Sequence, residues 1–169
     1  MGALLQRIRQ ASAAEIAAAI LALALVSIVA AWIFEAFGYL PCELCLKQRI
    51  PYYAGVPLAA LTLRLALKPG PHPVLPAAFL GLALIFYASL ALGVYHSGVE
   101  WGMWPGPAGC TGQMQTAANP AEFLKQLQTA RVVRCDEPAI RILGLSMAGM
   151  NAIVSFVVAA LAVVGSRRI

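Results

Sequence analysis

The chain has 169 residues, of which 61% are hydrophobic and only 11% are charged. Soluble domains carry roughly a quarter charged residues, so this composition excludes an ordinary soluble protein and indicates a membrane protein. The net charge of +5 does not indicate a nucleic-acid partner, because the basic residues are scattered near the ends of apolar stretches and form no stripe with stacking aromatics.

Four apolar stretches approach the length of a membrane helix, which needs about 20 residues. They cover residues 13–34, 51–67, 74–95 and 142–164. The first exceeds the roughly 7–15 apolar residues of a signal peptide, so we expect an uncleaved anchor. Pro51 is expected at the start of the second helix, where proline is tolerated, and Pro57 is expected to bend it. The prediction is an all-α membrane protein, a bundle of four transmembrane helices.

The distribution of lysine and arginine near the span ends predicts the orientation. Short cation-rich segments precede the first span, join the second to the third and follow the fourth, whereas the other connections mix cations with acids over longer stretches. The positive-inside rule then places both termini in the cytoplasm. The short first loop, 35–50, and the long second loop, 96–141, face the other compartment, where disulfides persist. They contain all four cysteines: Cys42, Cys45, Cys110 and Cys135.

The first loop carries a Cys-x-x-Cys pair, Cys42 and Cys45, at the membrane surface. A neighbouring cation lowers the pKa of a cysteine, and the thiolate is the form that reacts with disulfides. Arg49 follows Cys45 by four residues, so on a helix its guanidinium would face Cys45 and stabilise a thiolate or an electron-rich ring. An arginine at this depth can also bind lipid phosphate. The pattern favours redox chemistry at the bilayer surface.

The second loop is long and has no span-like stretch. Its Asn119-Pro120-Ala121-Glu122 sequence predicts the start of a short helix, which either lies flat on the membrane interface or packs against its own loop. A disulfide between Cys110 and Cys135 would close a flexible, exposed loop. His96, at the end of the third span, can protonate a reduced ring or simply mark the interface.

Other interpretations of the four cysteines remain open. They can form two inert disulfides in a four-span structural or transport protein, although a Cys-x-x-Cys bridge encloses too few residues to restrict the unfolded chain much. They can bind zinc, but the separation of Cys110 and Cys135 does not repeat a zinc-binding spacing, and we predict no metal site.

Taken together, these motifs resemble the bacterial disulfide bond formation protein B (DsbB) family over essentially the whole chain. The resemblance rests on the four spans and on Pro41-Cys42-x-x-Cys45-x-x-Gln48-Arg49, the pair Cys110 and Cys135, Cys135-Asp136-Glu137 and Leu143-Gly144-Leu145. It implies an oxidase of the bacterial inner membrane with a quinone cofactor, ubiquinone or menaquinone. The implied partner is a periplasmic DsbA-like protein of thioredoxin fold, with both loops facing the periplasm.

The resemblance also implies a role for each cysteine. Cys110 would form the mixed disulfide with the partner and has Cys135 as its pair. Cys135 would then exchange with Cys42, and Cys45 would reduce the quinone with help from Arg49. His96 aligns approximately with a histidine on the quinone side. A vitamin K epoxide reductase-like enzyme is an alternative, but such enzymes usually carry their redox pairs in a different order of spans.

Overall fold

The computed structural model describes residues 11–70, 72–107, 110, 119 and 133–168. These parts of the chain contain four helices and one short hairpin: α1 Ala13–Ala36, α2 Glu43–Ala66, α3 Leu75–Glu100, β1 Arg141–Ile142, β2 Leu145–Ser146 and α4 Met147–Ser166. The prediction of a mostly helical protein is confirmed. The short helix predicted after Asn119 lies outside the described residues.

Three of the four described helices, α1, α3 and α4, are long and apolar enough to cross a membrane. The α2 helix falls short of this measure, because two prolines, two tyrosines and several charged residues lower its mean hydropathy. The end of α1, the start of α2, the end of α3 and the start of α4 nevertheless line one cavity, through Phe34, Cys45, Glu100 and Met147 respectively. The helices therefore alternate in direction, while a membrane span in α2 remains a prediction.

The α2 helix begins earlier than its sequence pattern predicts. The Cys42 sulfur accepts the backbone N–H of Cys45 and caps the helix, which therefore begins at Glu43. The expected helix start at Pro51 is wrong, since Pro51 and Pro57 both lie inside α2. As a result, Cys45 belongs to the first helical turn rather than to a loop.

The α3 helix continues to Glu100, past the predicted span end at Tyr95. The extra turn is buried from residue 96 to residue 99. Trp104 folds back over this turn and donates its indole N–H to the Tyr95 carbonyl oxygen at 2.8 Å. Gly98 makes the close approach possible, because a Cβ at this position would overlap the Trp104 ring. His96 therefore has a fixed position on a helix.

A two-stranded hairpin precedes α4, in place of the helical start predicted near Ile142. Arg141 pairs with Ser146, and Ile142 pairs with Leu145. The turn residues Leu143 and Gly144 both have positive φ, 53° and 84°, as in the tight turns that join antiparallel strands. The fold is thus mostly helical with this one hairpin among the described residues, and Gly144 forms its turn.

Among the described residues, the α3 and α4 helices make the most extensive helix–helix contact. Gly93 permits this approach, because an added Cβ would lie 3.0 Å from the backbone nitrogen of Ala152. Below it, Ser155 donates a hydrogen bond to Ser89 at 2.9 Å. Small residues commonly allow membrane helices to pack this closely. The contact holds Asn151 beside the start of α2, where the functional residues lie.

Candidate active site

The four cysteines meet in one buried cluster where α2 begins and α3 ends. Cys110 and Cys135 form a disulfide, as the family resemblance implies, whereas Cys42 and Cys45 are thiols. The expected exposed bridge is wrong, because both of its cysteines are 1% exposed. The cluster also contains Leu44, Val99 and Val133.

His96 lies between the two cysteine pairs. Its Nε2 is 3.7 Å from the Cys42 sulfur and 3.2 Å from the carbonyl oxygen of Cys135. A ring nitrogen of His96 and the sulfurs of Cys42 and Cys135 all lie within 4.8 Å of one another. Thiol–disulfide exchange requires a thiolate to approach a disulfide sulfur, so these two sulfurs are placed for exchange. Because the Cys135 sulfur is bonded to Cys110, the group offers too few free donors for a zinc site.

Cys42 is the cysteine that ionises most readily. Its sulfur accepts the Cys45 backbone N–H at 3.2 Å, and the N-terminus of a helix favours negative charge. The hydrogen bond from the Cys45 thiol, together with the contact to His96, lowers the pKa of Cys42 from 9.0 to about 5 in spite of burial. The hydrogen bond to Cys42 and burial raise the pKa of Cys45. Near neutral pH the pair therefore holds one thiolate, on Cys42, and one proton, on Cys45.

Two amide side chains fix the orientation of His96. The Gln48 amide nitrogen contacts His96 Nδ1 at 2.6 Å. Asn151 donates to the Gln48 oxygen at 2.6 Å, and the Tyr52 hydroxyl donates to the Asn151 oxygen at 2.6 Å. Because an amide nitrogen can only donate, Nδ1 accepts, and the proton of the neutral ring sits on Nε2. The ring therefore presents an N–H group to the Cys42 sulfur.

Arg49 pairs with an acid of α1 rather than with a cysteine. Its guanidinium lies 2.5 Å from the Glu35 carboxylate and donates to the Ala31 carbonyl oxygen at 3.3 Å. The side chain of Arg49 is 12% exposed, so this pair is partly withdrawn from solvent. Arg49 and Cys45 lie one helical turn apart on α2 and line the same cavity, so a role of Arg49 beside Cys45 stays a prediction.

A cavity of about 290 Å³ lies beside the cysteines. Its volume is close to the lower end of the range for small-molecule sites, about 300–1,000 Å³. Much of its wall is apolar and comes from α1 and α4, including Val26, Ala30, Phe34, Met150 and Val154. Residues of the cysteine site also line it, among them Cys42, Cys45, Arg49, His96 and Glu100. The cavity thus has a largely apolar wall and reaches the Cys42–Cys45 pair.

Comparison with known proteins shows the family of this chain. The family model described as disulfide bond formation protein DsbB matches residues 13–165. The chain belongs to the DsbB family. Membership implies disulfide oxidoreductase activity in a multi-pass membrane protein, and the DsbB family is known to use quinone.

A curated relative of this DsbB-family chain is an uncharacterized protein of Rickettsia prowazekii (strain Madrid E). The two are 28% identical over 137 residues, which cover 78% of this chain and 75% of the relative. No solved structure matches the chain.

The structure places three further polar residues at this DsbB-family site: Gln48, Glu100 and Asn151. None of them was predicted from the sequence as a site residue. One signal was available for Asn151, because a polar side chain inside an apolar span is costly unless it has a partner or a function. The identity of the partners was not available, since Gln48 lies 48 residues from His96 and 103 from Asn151.

Proposed function

We propose that this chain is a quinone-dependent oxidase of the bacterial inner membrane that reoxidises a periplasmic dithiol protein of DsbA-like thioredoxin fold. The observation that carries the proposal is the placement of the Cys42 and Cys135 sulfurs together beside His96, within 4.8 Å. This contact connects the two cysteine pairs, so electrons can pass between them by thiol–disulfide exchange. A membrane protein with merely inert disulfides would need no such contact.

The first exchange transfers electrons from the partner to the second loop. A partner thiolate attacks the Cys110 sulfur, which breaks the Cys110–Cys135 bond and releases Cys135 as a thiolate. The second partner thiol then attacks the mixed disulfide, so the partner leaves oxidised and Cys110 is released. Two electrons have moved from the partner dithiol to Cys110 and Cys135.

The second exchange moves these electrons to the Cys-x-x-Cys pair. The Cys135 thiolate attacks Cys42 of an oxidised Cys42–Cys45 bond and releases Cys45. Cys110 then attacks Cys135, which restores the Cys110–Cys135 bond and releases Cys42. The products are one disulfide in the second loop and two thiols in α2, which is the redox state of the described structure.

The cavity fits the ring of a quinone, because its wall is largely apolar and a few polar groups reach it. Phe34 and Met150 would hold the ring, and Arg49 would bind a carbonyl oxygen. A bound quinone supplies an acceptor for two electrons and two protons. Cys45 lines the same cavity, so it is the cysteine that we expect to face the acceptor, with Cys42 as its disulfide partner.

Two serine substitutions test the proposal. In Cys45→Ser we expect quinone reduction to fall to the uncatalysed rate, because the membrane-surface pair can no longer form a disulfide. In Cys110→Ser we expect no mixed disulfide with a reduced DsbA protein, because the attacked sulfur is absent. Quinone absorbance measures the first effect, and thiol trapping on a gel measures the second.

The two variants serve as controls for each other. Cys45→Ser retains Cys110 and Cys135, so it should still trap the DsbA protein, while Cys110→Ser retains the pair beside the cavity. Quinone reduction at the normal rate by Cys45→Ser would exclude the mechanism. If all disulfides stayed oxidised in the presence of reduced DsbA protein, a structural or transport protein with inert bridges would be the better interpretation.

A further inference from the structure

Glu35 is an acid at the end of α1 that the proposed exchanges do not use. Its carboxylate lies 2.5 Å from Nη1 of Arg49, and α1 ends one residue later, at Ala36. Arg49 lines the cavity beside the cysteines, whereas Glu35 does not. The carboxylate therefore contacts the guanidinium from outside the cavity.

The contacts of Arg49 with α1 leave part of its guanidinium free. Nη1 donates to Glu35, and Nη2 donates to the carbonyl oxygen of Ala31, one helical turn earlier, at 3.3 Å. Arginine has five N–H groups, and these two contacts are its hydrogen bonds among the described residues. A planar guanidinium that is held through two of its donors presents the remaining donors in a fixed direction. Since Arg49 lines the cavity, those donors are available to a ligand there.

The side chain of Arg49 depends on Glu35 for its partner charge. It is 12% exposed, against 42% for Glu35, and a largely buried cation without an anion is costly. At a membrane surface such a long side chain can turn outward, where lipid phosphates attract it. A cation that turns outward would leave the cavity.

The other described acids at this end of the bundle have contacts of their own. Glu43 pairs with Lys47, Glu100 lies beside His96, and Asp136 and Glu137 pair with Arg134. Among the described residues, Glu35 is therefore the acid that holds Arg49 in place.

We propose that Glu35 is a positioning residue for Arg49. By binding the guanidinium from outside the cavity, it directs the free N–H groups of Arg49 toward a carbonyl oxygen of the electron acceptor. Glu35 itself does not touch the acceptor and exchanges no electron or proton with it. This inference rests on the proposed function for the identity of the acceptor as a quinone.

The first test measures quinone binding without turnover, in full-length protein that carries Cys45→Ser. Titration calorimetry gives the Kd of a short-chain ubiquinone and of a short-chain menaquinone, and the tighter of the two is used. Adding Glu35→Gln should raise this Kd about threefold to tenfold, because a neutral amide holds the guanidinium less firmly than a carboxylate does. Glu43→Gln is the matched control, since it removes an acid from a 2.7 Å pair with Lys47 and should leave the Kd unchanged.

A double-mutant cycle shows whether Glu35 acts through Arg49. Arg49→Ala should raise the Kd at least as much as Glu35→Gln does, and Glu35→Gln should then have no further effect. An unchanged Kd in Glu35→Gln would overturn the proposal. So would an equal rise in the presence and in the absence of Arg49.

The second test uses protein with all four cysteines and separates positioning from a structural role. Glu35→Gln should raise the KM for quinone and leave the KM for reduced DsbA protein unchanged, whereas a general distortion of the site would alter both. If Glu35→Gln fails to fold, Glu35→Asp takes its place, because it keeps the charge but withdraws the carboxylate from Arg49. A rise in both KM values, or in neither, would overturn the proposal.

Failure of this inference can be told apart from failure of the proposed function. Normal quinone reduction together with a Kd that does not depend on Glu35 would refute this inference alone. A protein that binds quinone but does not reduce it would refute the proposed function, and the Kd values would still decide the role of Glu35. Absence of quinone binding in every variant would overturn both.

Discussion

His96 shows how one residue can have a different task at each of its two ring nitrogens. Nδ1 is held by Gln48, which fixes the position of the ring proton, while Nε2 faces the Cys42 sulfur and Glu100. A histidine with free rotation would share its proton between the two nitrogens. Here the tautomer is set by hydrogen bonds from α2 and α4, so the donor that reaches Cys42 is available in every neutral ring.

The low pKa of Cys42 leads to a prediction about pH. A lowered pKa means that the thiolate is favoured in the folded protein, so it persists above pH 5 and is lost as the pH falls through about 5. With Cys42 and Cys45 reduced and the other disulfide intact, the ultraviolet absorbance of the thiolate should disappear with that midpoint. His96→Ala should raise the midpoint, because one of the stabilising contacts is removed.

Cys42→Ser is the control for this titration, since it keeps Cys45 but removes the thiolate that we assign. It should show no transition near pH 5. A transition near pH 5 that survives in Cys42→Ser would assign the thiolate to a different residue.

The contact between helices α3 and α4 sets the geometry of the site. Gly93 brings the backbone of α4 against α3 at Ala152, the residue after Asn151. Asn151 in turn holds Gln48 of α2 at 2.6 Å. A change in the spacing of two helices is therefore transmitted directly to the residue that orients His96.

Gly93→Ala tests this spacing, and Gly81→Ala in the same helix is its matched control. At Gly93 the added methyl group meets backbone at 3.0 Å, whereas at Gly81 its nearest neighbour is the Leu58 side chain at 3.4 Å. Overpacking costs about 1–3 kcal/mol, and replacing glycine in a helix gains up to about 1 kcal/mol. Thermal unfolding should therefore show a lower midpoint for Gly93→Ala than for Gly81→Ala. Equal midpoints would mean that the helices adjust without cost.

Because the four helices alternate in direction, the residues of the cysteine site all lie at one end of the bundle. This arrangement agrees with four membrane crossings, although α2 is less apolar than the other three helices. We therefore expect both termini in the cytoplasm and the cysteines in the periplasm. The side of the membrane on which residues 101–104 lie, just after α3, depends on whether α2 crosses the membrane.

Fusions to an enzyme that is active only outside the cytoplasm test this topology. A fusion after Gly102 should be active, because three preceding spans leave this residue in the periplasm, and a fusion after Ile169 should be inactive. If α2 does not cross the membrane, three spans remain and both results should be reversed. The two fusions therefore control for each other.

Much of this fold was predictable because apolar length and charge distribution act locally along the chain. The helix limits were less predictable, since the Cys42 cap and the burial of residues 96–99 depend on tertiary contacts. The cysteine motifs likewise indicated redox chemistry. The partner of Arg49 and the burial of the Cys110–Cys135 bridge could not be predicted, because they depend on residues brought together only by folding.

The burial of the Cys110–Cys135 disulfide has a consequence for the selectivity of electron entry. Both cysteines are 1% exposed and are covered by apolar side chains. Small diffusible thiols collide with the surface of such a site without reaching its sulfurs, so the bridge is insulated from stray reductants. We therefore expect electrons to enter only from a protein that displaces this cover as it docks. In the proposed function, the quinone would then oxidise that protein partner and would be protected from small thiols.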